Sequence, residues 1–90
     1  MLTVTPQAAE LIRRLSAQAQ LPAGAGLRII GQQHTPGLRM DLAAVPREGD
    51  EVMVQSGVAV FLDDQATRRL QHDVLDARSN PAGQAFFLRP

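Results

Sequence analysis

The ninety residues carry nine arginines, nine acidic residues and no lysine, for a formal charge of zero, with two histidines and 44% hydrophobic content. The absence of cysteine excludes disulfides, thiolate nucleophiles and cysteine-ligated clusters, and the absence of lysine excludes Schiff-base chemistry. Basic residues occur singly or as the pairs Arg13-Arg14 and Arg68-Arg69, and three phenylalanines make no row of stacking platforms, so nucleic acid is not an expected partner.

The length suits a single domain, 1–90, with one modest core. The opening segment MLTVTPQAAELIRR has no basic region followed by an unbroken apolar run, and no stretch reaches the length of a bilayer span; a cytoplasmic protein without membrane contact is expected. Leu2-Thr3-Val4 reads as a short extended lead-in. Thr5-Pro6 is a helix start, because threonine caps free amides and proline fits the first turn. Ala8, Leu11, Ile12, Leu15 and Ala19 recur at three- and four-residue steps and predict an amphipathic helix laid on a sheet, ended by Pro22-Ala23-Gly24.

Leu27 to Ile30 predicts a strand, and Leu38, Met40, Leu42 and Ala44 alternate with Arg39 and Asp41 in a second. Between them, Gln32, Gln33, His34 and Thr35 form the densest uncharged polar run, flanked by Gly31, Pro36 and Gly37. Pro46 and Gly49 bracket a turn in which Arg47, Glu48 and Asp50 are expected to be solvated. Val52 and Val54 alternate with Glu51, Met53 and Gln55, the pattern of a strand with one packed face. Ser56-Gly57 then reverses the chain into Val58–Leu62, which is apolar throughout and predicts a covered strand antiparallel to the first. Asp63 or Asp64 caps a short helix carrying Ala66 and Leu70, and Val74-Leu75-Asp76 extends again. Ser79 to Gly83 reads as a loop, and Phe86-Phe87-Leu88 as a last strand.

Chemistry is sparse. His34 and His72 are the only imidazoles, and with Asp73 or Asp76 they lack the local spacing of a metal site, so no metal and no cofactor is assigned. Asp63-Asp64 fits a cap and its neighbour better than an acid–base pair, and Ser16, Ser56 and Ser79 stand in no nucleophile elbow. No enzymatic activity is expected. Gly24-Ala25-Gly26 lacks the glycine spacing of a phosphate-binding loop.

The order of these elements, with several residues, resembles the HesB/IscA family of A-type iron–sulfur carrier or scaffold proteins. Leu2-Thr3-Val4-Thr5 with Ala8 and Ala9 resembles the family's opening and first helix, and Gly26-Leu27-Arg28-Ile29 its G-L-R strand. Gly49-Asp50, Gly57-Val58 and Val60-Phe61-Leu62-Asp63 resemble its central hairpin, and Leu70, Leu75-Asp76, Gly83 and Phe87 its closing part. The resemblance implies an α+β fold, a HesB-like domain of twisted, mostly antiparallel sheets with two covering helices. It also implies three cysteine ligands, one after the G-L-R strand and two near the C-terminus. The first position falls on Thr35, and Leu88-Arg89-Pro90 stands where the cysteine-bearing tail would follow Phe87; threonine does not replace a thiolate as a soft iron ligand.

Fold and chemistry therefore separate. The expected function is a non-catalytic, cysteine-free HesB-like protein that binds or regulates another protein connected with iron–sulfur cluster assembly. Iron or cluster handling through histidines and partner-supplied ligands, or a small-molecule-binding module, are the alternatives. Expected partners are another protein and, by resemblance, a second copy of the chain. The candidate binding residues are Gln32, Gln33, His34, Thr35 and Arg39, with Arg28 as a neighbour if strand twist brings it to the rim; an ordinary connecting turn accounts for the same composition.

Overall fold

A computed structural model describes residues 1–32 and 34–90, and Gln33 lies outside the described residues. The element order is β1 (Thr3–Val4), α1 (Pro6–Gln18), β2 (Gly26–Gly31), β3 (Leu38–Ala43), β4 (Glu51–Gln55), β5 (Val58–Leu62), α2 (Asp64–Arg69), β6 (Val74–Asn80) and β7 (Gly83–Arg89). The strands form a three-stranded sheet, β1-β6-β7, and a four-stranded sheet, β3-β2-β5-β4. Hairpins β2–β3, β4–β5 and β6–β7 are antiparallel, while β1–β6 and β2–β5 are parallel. The α+β fold is thus as expected, with more parallel pairing than short loops alone would give.

The caps explain where the helices begin. Thr5 is extended and its Oγ1 accepts from the Ala8 amide at 3.1 Å, with Pro6 in the first turn. Asp63 does the same for α2, its Oδ1 accepting from the Ala66 amide at 2.8 Å. Helix α1 stops at Gln18, ahead of Pro22, so Ala19 is a cap residue and exposed rather than part of the packed stripe. Ala9 is fully buried instead, beside Ala8, Leu11 and Ile12.

One apolar cluster joins both sheets and both helices. It holds Leu2 and Val4 from the lead-in, Ala8, Ala9 and Ile12 from α1, Leu27 and Ile29 from β2, Met53 from β4, Val58, Val60 and Leu62 from β5, Ala66 and Leu70 around α2, and Leu75 from β6. Every residue of β5 is buried, as its unbroken apolar run predicts.

Three expectations are corrected. In β4 the packed position is Met53, 5% exposed, while Val52 and Val54 point away from the core at 50% and 70%. Alternation shows that a strand has two faces but does not choose between them, and the register Met53↔Val60 aligns the methionine with the inward face of β5. The segment from Ser79 to Gly83 is a tight hairpin rather than a loop: β6 runs to Asn80 and β7 begins at Gly83, leaving Pro81 and Ala82 to turn. Asp50 is not solvated; its side chain is 2% exposed against Arg28.

Candidate functional site

In the polar segment after β2, the side chains of Gln32 and Thr35 are spent on closing a turn. The Gln32 amide donates to the Gly37 carbonyl at 3.2 Å. Thr35 Oγ1 donates to Gln32 Oε1 and accepts from the Gly37 amide, both at 3.2 Å. A Cβ at Gly37 would stand 2.7 Å from Gln32 Oε1, so glycine is what lets the glutamine side chain fold across the turn. His34 has φ +65°, in the left-handed region, and is exposed. The turn therefore displays the imidazole to solvent while consuming the hydroxyl.

What holds the turn to the body is Arg69, at the end of α2. Its Nη2 donates to the Gln32 carbonyl at 2.9 Å and to Gln65 Oε1 at 2.8 Å, and its Nη1 reaches the Gly37 carbonyl at 3.2 Å. The carbonyls of Gln32 and Gly37 are thus clamped by one planar guanidinium, a geometry that arginine's fixed fork favours. Nearby, Asp63 Oδ1 also accepts from the Gly31 amide at 3.1 Å, so α2 grips the end of β2 twice. The helix sits so close that a Cβ at Gly31 would fall 2.6 Å from Gln65 Cβ. Sequence reading missed Arg69 because its partners lie 32 and 37 positions away and are backbone carbonyls; only its i, i+4 spacing from Gln65 is local.

The two other arginines considered for this site do different work. Arg39 is exposed on β3 and pairs with Asp41 at 3.2 Å. Arg28 is buried on β2 and meets Asp50 in a two-pronged pair, Nε to Oδ2 at 2.8 Å and Nη2 to Oδ1 at 2.9 Å. The Arg47 amide adds a third bond to Asp50 Oδ2 at 2.9 Å. Hydrogen bonding to Arg28 holds the Asp50 carboxyl below its ordinary pKa against the opposing effect of burial, and the same bond raises Arg28. Arg28 is therefore not a member of the polar rim. It anchors the connection between β3 and β4, which has to pass from one edge of the four-stranded sheet to the other.

Asp76, on β6, accepts from Thr5 Oγ1 at 2.7 Å and from the Ala77 amide at 2.8 Å, with Arg89 Nε at 3.3 Å. The Thr5 bond is the main cause of its lowered pKa. This links the cap of α1 to the second sheet and leaves Asp76 committed to structure. His72 is exposed just before β6. Among the described residues, no three histidine, aspartate or glutamate side chains converge as a metal-holding group. No helix among them is long and apolar enough to cross a membrane.

No protein-family model and no curated protein sequence matches the chain. Solved structures do. The crystal structure of Escherichia coli SufA, involved in the biosynthesis of iron–sulfur clusters, is similar with a TM-score of 0.79 and 28% identity over 98% of this chain and 83% of that one. A crystal structure of IscA with the 2Fe–2S cluster is similar with a TM-score of 0.78 and 28% identity, covering 99% of this chain and 84% of its own. The solution structure of a protein from Aquifex aeolicus shares the fold at a TM-score of 0.72 and 21% identity, over 99% of this chain and 90% of that protein. With more than a quarter of the aligned residues and the fold shared with SufA and IscA over nearly its whole length, the chain is HesB/IscA-like, and its ninety residues contain no cysteine.

Proposed function

We propose that this chain is a protein-binding or regulatory member of the family, connected with iron–sulfur cluster assembly and not itself an autonomous cluster carrier. The observation that carries this reading is the retention of the SufA- and IscA-like scaffold without a thiolate anywhere in the ninety residues. Thr35, at the position that resemblance gives to the first cysteine, has its hydroxyl engaged with Gln32 and Gly37 within the turn. The recognition surface is the turn itself: the exposed His34 and Gln32, with Gln33, Thr35 and the neighbouring Arg39. Arg69 holds the two ends of this turn, at Gln32 and Gly37, which lowers the entropy a partner would lose in ordering it. Self-association belongs to the same proposal, through a different surface.

Anaerobic reconstitution with iron and sulfide, followed by desalting and analysis of both elements, tests the first half. The expected outcome is no retained cluster, because two exposed histidines are a poor replacement for three thiolates; near-stoichiometric retention overturns it. The second half is tested with the double variant Gln33→Ala/His34→Ala. Its unfolding curve should match that of the wild type while capture of a specific partner from cell extract falls. Capture of every reproducible partner at wild-type strength removes the turn as the binding surface.

A further inference from the structure

The four-stranded sheet has two edges, and they are built differently. Edge strand β3 carries the charged pair Arg39–Asp41 on its outward face, a charge placement that discourages another strand from docking. Edge strand β4 is unguarded. Its five residues hold unbroken register with β5, contain no proline, and include a single charge, Glu51, at one end. Its outward face is Val52 and Val54, half and more than two-thirds exposed. An exposed apolar edge of this kind is a template for another strand.

The hydrogen-bonding phase of the edge follows from the hairpin. Ser56 and Gly57 have φ +53° and +78°, the two left-handed residues of a type I′ turn, which makes Gln55 and Val58 the closing hydrogen-bonded pair. Bonded pairs alternate along an antiparallel ladder, so Glu51, Met53 and Gln55 direct their amides and carbonyls to β5. Those of Val52 and Val54 are left for the open edge. This arrangement is self-complementary. Two β4 strands running antiparallel about a two-fold axis through Met53 place Val52 opposite Val54 of the other copy, twice, with four hydrogen bonds between them. Glu51 then faces Gln55, so no like charges are opposed, and the four valines form one apolar cluster on the outward face.

We propose that β4 is a homotypic interface, pairing edge to edge with β4 of a second copy in the Val52↔Val54 register to give a continuous eight-stranded sheet. This deepens the self-association part of the proposed function and is independent of the polar turn. Five residues a side make a contact below the roughly 800 Å² per partner of a standard interface, so a reversible monomer–dimer equilibrium is expected.

Sedimentation or light scattering from about 1 to 500 μM should show a mass rising from 9.7 kDa toward twice that value. Val52→Lys/Val54→Lys should hold the monomer mass throughout with an unchanged thermal unfolding curve. A wild-type chain that stays at 9.7 kDa, or a lysine variant that dimerises like the wild type, overturns the proposal. The register is tested separately, and without bulky substitutions, because the chain has no thiol of its own. A mixture of Val52→Cys and Val54→Cys chains should oxidise to a cross-linked dimer several-fold more than either chain alone, since only the mixture sets the two thiols directly opposite. Equal yields overturn the register. Turn variants at His34 should leave the mass curve unmoved, so failure of the polar-turn reading and failure of this interface are distinguishable.

Discussion

Arg28 and Asp50 carry the most consequential single contact. Both side chains are almost withdrawn from water, at 10% and 2% exposure, and each satisfies the other through two charge-assisted bonds. Such a pair adds little net stability compared with well-packed apolar residues, but removing one partner strands the other charge in the interior. Asp50→Asn should therefore cost about 3 to 5 kcal/mol, against a total of roughly 5 to 15 for a domain. Arg47→Ala is the matched control: only its backbone amide bonds Asp50 and its side chain is exposed, so a change within about 0.5 kcal/mol is expected in the same urea titration. The pH dependence has a definite sign. Asp50 has a folded pKa below its unfolded one, so the unfolded chain takes up the proton first as pH falls. Its contribution is present above the ordinary carboxylate range near 4 and is lost progressively as pH drops through the lowered folded value. Asp76 acts in the same direction through Thr5. Arg28, with a raised folded pKa, keeps its contribution throughout the acid range. Unfolding midpoints between pH 7 and pH 3 should fall less steeply for Asp50→Asn than for the wild type. None of this is visible in the sequence, because 22 residues separate the partners and a carboxylate between Gly49 and Glu51 has the composition of a surface turn.

At the level of elements, what could be read from the residues depended on whether the signal was local. The unbroken apolar run of β5, the two positive-φ residues at Ser56-Gly57 and the caps Thr5 and Asp63 are local signals, and each element formed as expected. The orientation of β4 was not legible, because its two valines make the more apolar face while Glu51 and Gln55 flank Met53; pairing with β5 turned the methionine inward all the same. Likewise Pro81-Ala82 and Gly83 read as a longer loop, although seven register pairs zip β6 and β7 up to the turn. For the polar turn, its composition and boundaries were legible and its clamp by Arg69 was not, since backbone carbonyls leave no sequence signature. Val60→Asp tests the central strand. Val60 is fully buried between β2 and β4, so the variant loses valine packing and places an unpaired carboxylate in the core. A loss on the order of 3 to 5 kcal/mol is expected, read as a large drop in the thermal midpoint or outright unfolding. An unchanged midpoint would contradict the position of β5.

For the whole molecule, the fold similar to that of SufA and IscA is maintained here by a core of apolar side chains. Leu27, Ile29, Val60 and Leu62 make the sheet, Ala8, Ala9 and Ile12 lay the helix on it, and Thr35 lies outside this core. The parallel pairing of β2 with β5 has a further consequence, for the order in which the chain assembles. The hairpins β2–β3 and β4–β5 close over short stretches of sequence, but Leu27 must find Val60 across more than thirty residues to join them, and Thr3 must find Val74 across some seventy. Closing those long loops costs entropy before any contact repays it, so folding waits on the two parallel seams rather than on the turns. The Arg28–Asp50 pair spans the first seam's connection and shortens that search once it forms. The two-residue β1 strand closes the second seam, and it brings Leu2 and Val4 to a core that the remainder of the chain has otherwise completed.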